Sequence, residues 1–306
     1  MGDSCCMCGT DARASRPALS VGVRLHDLPR GTVDERIRMA GQLGFSCLQL
    51  PSKVLFTSLG IDRTGLTPEL ADHLRGVLDE AGVEVAVLGC YKNLATPDAD
   101  QLVDNLAEYE ACLRFAKLLG GCPVGTETGR PNAQNAIGPD RFSDEALDMF
   151  CRNLARVCAL AENMDVPMLI EPGWNEVVCT PERCHTVLDC VESPALGVIY
   201  DAVSLLHPSI ADQAQDMVRR MLELNGERIR VLHAKDYSIV ENEEAPEWCD
   251  STGKRLVCHG PATTGSFDMA PIASWAAKTC PSISCVMENS TPETMKESRA
   301  ALLQMG

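Results

Sequence analysis

The 306-residue sequence predicts a single α/β domain folded as a (β/α)8 TIM barrel. Eight short apolar runs follow one another along the chain, stretches of helical periodicity separate them, and repeated capping motifs mark where the helices begin. Short apolar runs bounded by turn residues read as buried parallel strands, and strict alternation of strand and helix makes a parallel sheet that eight units can close. Barrels of this kind run to about 250 residues as one unit, so no second domain is required.

The first strand is expected at Val21, in Val-Gly-Val-Arg-Leu. Thr32 and Glu35 then form a capping box, and Gly44 closes the first helix where a left-handed backbone is needed. The second strand starts at Cys47, in Cys-Leu-Gln-Leu. Thr67-Pro68-Glu69 opens a helix whose apolar stripe is Leu70, Leu74, Val77 and Leu78, and Gly82 ends it before the third strand near Val83. Gly120-Gly121 stops the next helix ahead of the fourth strand at Val124. Leu147, Phe150, Leu154, Val157 and Ala161 mark a further helix, and the fifth strand follows at Pro167. Thr180-Pro181-Glu182 opens another helix, strands begin at Leu196, Ile229 and Ile283, and Thr291-Pro292-Glu293 is expected to open the last helix. In each Thr-Pro-Glu the threonine caps free amides, proline sits where its missing N–H costs nothing, and glutamate meets the positive helix end.

Residues 1–18 read as a flexible N-terminal tail and 19–306 as the barrel. Cys5, Cys6 and Cys8 in the tail supply three close thiols without an evident fourth ligand. The long stretch 237–266 after the seventh strand carries Glu241 to Glu247, Trp248, Cys249, Cys258 and His259. A loop of that length would lie over the mouth as a lid or an oligomer contact.

Composition narrows the function. A formal net charge of −16 argues against a nucleic-acid partner, whose phosphates need Lys and Arg, and favours a small-molecule substrate. Sixteen cysteines spread through apparent core segments, as at Cys112, Cys158 and Cys285, read as reduced thiols. No run of about 18 apolar residues predicts a membrane span, and no signal peptide is evident, so a cytoplasmic protein is expected. The sequence leaves a homo-oligomer open.

Four apolar runs in the second half each end on a metal-ligand side chain: Met168 to Glu171, Val198 to Asp201, Val231 to His233 and Cys285 to Glu288. Active sites of such barrels sit at the carboxyl ends of the strands, so Glu171, Asp201, His233 and Glu288 are expected to converge there. Three carboxylates and one imidazole suit a divalent metal ion such as Mn²⁺, Mg²⁺ or Co²⁺. A cation so held can acidify a C–H beside a sugar carbonyl, and Glu171 and Glu288, on non-adjacent strands, can remove and return the proton. Lys53, Lys92, Arg130 and Lys235 also follow strand ends; they either meet an anionic substrate group or pair with acids such as Glu127 and Asp236. Trp174 is a candidate platform for a sugar face or a packing residue, and Asp236 a candidate partner that orients His233 or an extra ligand.

These segments resemble the xylose isomerase-like barrels, a family of sugar phosphate isomerases and epimerases that includes ketose 3-epimerases. The resemblance runs from about Leu19 onward. It rests on Ile170-Glu171-Pro172, Tyr200-Asp201, Leu232 to Asp236, Gly260 to Asp268, Met287-Glu288-Asn289 and Thr126 to Gly129. It implies that Glu171, Asp201, His233 and Glu288 bind the metal, and that Glu171 and Glu288 are also the catalytic acid/base pair. In the 3-epimerases a histidine follows the strand-six aspartate by three residues and an arginine comes shortly after the strand-seven histidine. Here the first position is Ser204, with His207 three residues later, and no arginine follows His233 within that reach. The expected function is a metal-dependent sugar isomerase or epimerase. The alternatives are a lyase or dehydratase on a keto-sugar, inosose or 3-oxo-glycoside, and a non-catalytic barrel that binds a sugar or supports a partner.

Overall fold

The computed structural model describes residues 19–241, 246–281 and 283–305, so the expected tail with Cys5, Cys6 and Cys8 lies outside the described residues. In chain order the first half contains β1 (Leu19–Arg24), α1 (Val33–Gln42), β2 (Cys47–Pro51), α2 (Ser52–Leu59), α3 (Pro68–Ala81), β3 (Glu84–Gly89), α4 (Ala99–Leu118) and β4 (Val124–Glu127). Then come α5 (Asp144–Met164), β5 (Met168–Glu171), α6 (Pro181–Val191), β6 (Leu196–Asp201), α7 (Ala214–Asn225) and β7 (Ile229–Ala234). The chain ends with β8 (Asp236–Glu241), β9 (Lys254–His259), α8 (Ala270–Thr279), β10 (Ile283–Met287) and α9 (Met295–Met305). All eight expected strands form, and they close a parallel barrel in the order β1-β10-β7-β6-β5-β4-β3-β2.

The caps explain where the helices start. Thr32 and Glu35 exchange bonds of 3.2 and 2.8 Å, and the hydroxyls of Thr67 and Thr180 accept from Leu70 N and Arg183 N at 3.3 and 3.2 Å. The third Thr-Pro-Glu behaves differently. The Thr291 carbonyl accepts from Thr294 N and Met295 N, while Thr291 N donates to Thr294 Oγ1, so a turn comes first and α9 begins only at Met295. Threonine hydroxyls offer the backbone such local bonds in place of helix.

Two apolar layers hold the barrel. The larger packs the outward faces of the strands against the helices, as with Leu154, Val157, Ile170 and Tyr200. The smaller fills the lumen with Cys47, Ala86, Val87, Leu169, Ile199, Val231 and Val286. Gly125 leaves room for it: a Cβ there would lie 2.6 Å from both Ile199 Cδ1 and Val87 Cγ2. The stretch expected as a loop at 237–266 departs from that expectation, because β8 and β9 pair as an antiparallel hairpin from Asp236↔His259 to Glu241↔Lys254.

Candidate metal centre

The lumen layer sets the site above it. Side chains alternate across a strand, so the residue two beyond a lumen-facing one faces the lumen again, one step nearer the mouth. Glu171 stands two after Leu169, Asp201 two after Ile199, His233 two after Val231 and Glu288 two after Val286. Register completes the meeting: Asp201 lies level with His233, and Glu288 N donates to Ala234 O at 2.9 Å. All four side chains are buried, and their ligand atoms lie within 4.8 Å of one another.

The donors fit a divalent cation. His233 Nδ1 sits 3.2 Å from Glu171 Oε1 and 3.1 Å from Glu288 Oε1, yet neither ring nitrogen has an aligned hydrogen-bond partner, and Asp201 Oδ2 meets only the Lys235 ammonium, at 3.0 Å. Buried polar atoms are rarely left unbonded unless something else satisfies them. Burial works against a charged imidazole here, but Glu171 and Glu288 outweigh it and raise His233 to about 10. The carboxylates thus demand positive charge at this point, which is what a cation supplies.

Lys235 meets the same demand from the side. Its ammonium lies 3.0 Å from Asp201 Oδ2 and 2.9 Å from Glu288 Oε2, and donates to Ser204 Oγ at 2.9 Å. Burial alone would raise Glu288, but Lys235, His233 and Arg24 hold its carboxyl well below the usual range. Asp201 is raised by its burial, against the pull of Lys235, and its Oδ1 accepts from Val203 N and Ser204 N. Ser204, where the 3-epimerase pattern has histidine, is therefore the rest for Lys235. His207 turns away, with its ring 4.7 Å from Trp174.

The remaining expected residues divide. Arg130 and Trp174 line a cavity of about 310 Å³ at the mouth, together with Glu171, Ser204 and Lys235. Arg130 already donates to Asn175 O and Asn135 O, and Trp174 stacks edgewise on His207 and Trp248. Lys92 pairs with Glu108 at 2.9 Å and lines neither mouth cavity, whereas Lys53 borders the larger one. Asp236 requires correction: it does not orient His233. Its Oδ1 accepts from Tyr237 N and Phe267 N, and its Oδ2 from Thr264 N and Gly265 N, at 2.8 to 3.0 Å. The strand pleat turns Asp236 out of the lumen, where it ties down the segment that leads to α8.

Other residues complete the mouth. Arg24, at the end of β1, lies 3.4 Å from Glu288 and bonds Asp27. Gln49 from β2 donates to the Tyr91 hydroxyl beyond β3. Glu127, at the end of β4 and level with Glu171, faces both cavities; its carboxyl is pushed up to about 8 by desolvation and by Glu176, Glu171 and Glu288. The rule that exposed the four ligands, a charged residue closing an apolar run, also marks Arg24 and Glu127. The hairpin adds Leu256 and Cys258, with Trp248 between its strands, to the wall of the smaller cavity.

Solved structures share this architecture. A xylose isomerase-like TIM barrel protein from Mycobacterium smegmatis in complex with magnesium superposes with a TM-score of 0.65 at 16% identity, covering 95% of this chain and 96% of that one. The probable 3-DHS dehydratase AsbF from Bacillus anthracis gives 0.68 at 15%, covering 94% and 98%. The 3-keto-D-glucoside 4-epimerase YcjR from E. coli gives 0.67 at 12%, covering 94% and 99%. At these identities the likeness is one of fold. A comparison with curated protein sequences gives no match. The sequence profile of the xylose isomerase-like TIM barrel family, by contrast, matches residues 37–305, nearly the whole described barrel, and the chain belongs to that family.

Proposed function

We propose that this protein is a divalent-metal-dependent sugar isomerase or epimerase that works by proton transfer through an enediolate. The observation that carries the reading is the meeting of Glu171, Asp201, His233 and Glu288, buried and within 4.8 Å of one another, at the mouth of a closed barrel. The family and the epimerases among its structural relatives agree with it.

Glu171, Asp201, His233 and Glu288 would hold the ion; the spacing of these donors does not choose among Mg²⁺, Mn²⁺ and Co²⁺. When bound, the ion supplies Lewis-acid polarisation of the sugar carbonyl. One glutamate of the Glu171/Glu288 pair takes the proton from the carbon beside that carbonyl, and the C–H electron pair moves to form the enediolate. The other, protonated beforehand, delivers a proton to the opposite face of that carbon for epimerisation; for isomerisation the proton goes to the neighbouring carbon while the hydroxyl proton passes between the two enediolate oxygens. Lys235 stands against Glu288 and Asp201 with its positive charge beside the growing oxyanion. Trp174, Trp248, Leu256 and Cys258 give the smaller cavity an apolar wall against which a sugar can rest.

Deuterium exchange from D₂O into candidate ketoses, followed by NMR, tests the reading. The metal-loaded protein exchanges one C–H, and Glu288→Gln slows that exchange by on the order of 10²-fold or more, with a cooperative melting transition verifying that the variant still folds. Exchange that survives in Glu288→Gln refutes its assignment. The same spectra separate a dehydratase, favoured by the barrel shared with AsbF, because elimination yields an unsaturated product where an isomerase conserves every atom.

A further inference from the structure

A second cavity, of about 740 Å³, opens from Glu171 and Glu288 toward the β1–β2 side of the mouth. Its wall is basic. Arg24, His26, Arg36 and Lys53 all border it, in a chain with a net charge of −16. Arg24 is accounted for by Glu288 and Asp27. Arg36 and Lys53 have no carboxylate partner among the described residues, whereas the other strand-end cations Arg24, Lys92 and Lys235 are paired with Glu288, Glu108 and Asp201 respectively.

Two further observations point into this space. The Arg36 Nε is buried and bonded to nothing, a state that a buried donor rarely keeps without a partner. The eight-residue helix α2 begins at the cavity edge, where its N-cap, Pro51, provides no side-chain bond to the first amides; Pro51, Lys53 and Val54 all border the cavity. An uncapped helix start presents free N–H groups and partial positive charge, which suits an oxyanion.

We infer that Arg36, Lys53 and the start of α2 form a subsite for an oxyanion carried by the substrate, a carboxylate or a phosphate ester at the end remote from the enolised carbon. The inference rests on the proposed function for the word substrate, and it narrows that substrate to an acidic sugar. Arg36 offers a planar fork of donors, Lys53 a mobile point charge, and Arg24 screens the anion from Glu288.

Calorimetric titration of chelator-treated protein with inorganic phosphate and with acetate tests the subsite without the metal. Saturable one-to-one binding is expected, weakened on the order of tenfold or more in Arg36→Met and in Lys53→Met, and unchanged in Lys117→Met, whose residue pairs with Asp165 outside the site. Arg36→Lys, which keeps the charge, recovers part of the affinity, and melting curves verify that each variant folds. Tighter phosphate binding assigns a phosphate ester and tighter acetate binding a carboxylate; either supports the subsite. Absence of saturable binding, or equal loss in Lys117→Met, overturns it. Failure of the proposed function looks different: the anions bind and Arg36→Met abolishes binding, yet no sugar exchanges a proton.

Discussion

Lys235 and Asp236 are neighbours in the chain and act on opposite sides of the barrel wall. Lys235 turns inward to Asp201, Glu288 and Ser204, while Asp236 turns outward and collects four backbone amides. Replacing Asp236 with Ala leaves those amides without their acceptor, a loss of about 1–3 kcal/mol for a buried donor left unsatisfied. Hydrogen exchange at the amides of Thr264, Gly265 and Phe267 is expected to quicken while the barrel strands stay protected; unchanged exchange there contradicts the assignment. Gly125→Ala is a second test at this scale. Its Cβ would strike Ile199 and Val87, so chemical denaturation is expected to show a loss of about 1–3 kcal/mol from overpacking. The four candidate ligands were legible from residue type and strand position alone, because each closes an apolar run. The role of Asp236 was not, since it depends on where the 264–267 segment passes, and that segment lies some thirty residues away (Gly265 bonds it at a separation of 29).

Elements show the same division. The strands and most helix starts follow from apolar spacing and from Thr32, Thr67 and Thr180, whose caps are local bonds within three residues. Hairpin β8–β9 was hidden because no tight-turn signature joins its strands; Glu241 and Lys254 close a connection too long for one. It carries Trp248 to within 5.8 Å of Trp174, so the cavity wall is built from two elements distant in sequence. Trp248→Ala is expected to raise KM roughly 2- to 10-fold for the sugar that exchanges, the scale of an aromatic contact, with kcat and melting temperature little changed. A KM equal to wild type would show that the hairpin does not border the bound sugar. The third Thr-Pro-Glu, although identical in type to the others, opens a turn before α9, because Thr294 supplies a competing hydroxyl.

For the molecule as a whole, the candidate ligands stand on β5, β6, β7 and, just past its end, β10, so an ion held there ties together half of the closed sheet. A ligand that binds only the folded state at a hundred times its Kd adds about 2.7 kcal/mol. Adding Mg²⁺ or Mn²⁺ to chelated protein is therefore expected to raise Tm by on the order of 5 °C, and EDTA to reverse it. Calorimetric scans without a shift would remove the basis for the metal centre. Among the described residues no helix is long and apolar enough to cross a membrane, and Cys112, Cys158 and Cys285 are buried. The sequence by itself determined the eight barrel strands and their order, the caps at Thr32, Thr67 and Thr180 and the four candidate ligands, because each is written in spacings of two to four residues. Only the tertiary structure decided which cations meet acids and which stand free. Lys92 finds Glu108, Lys235 finds Asp201 and Glu288, and Arg36 and Lys53 are left facing the cavity, since pairing depends on distances set when the barrel closes.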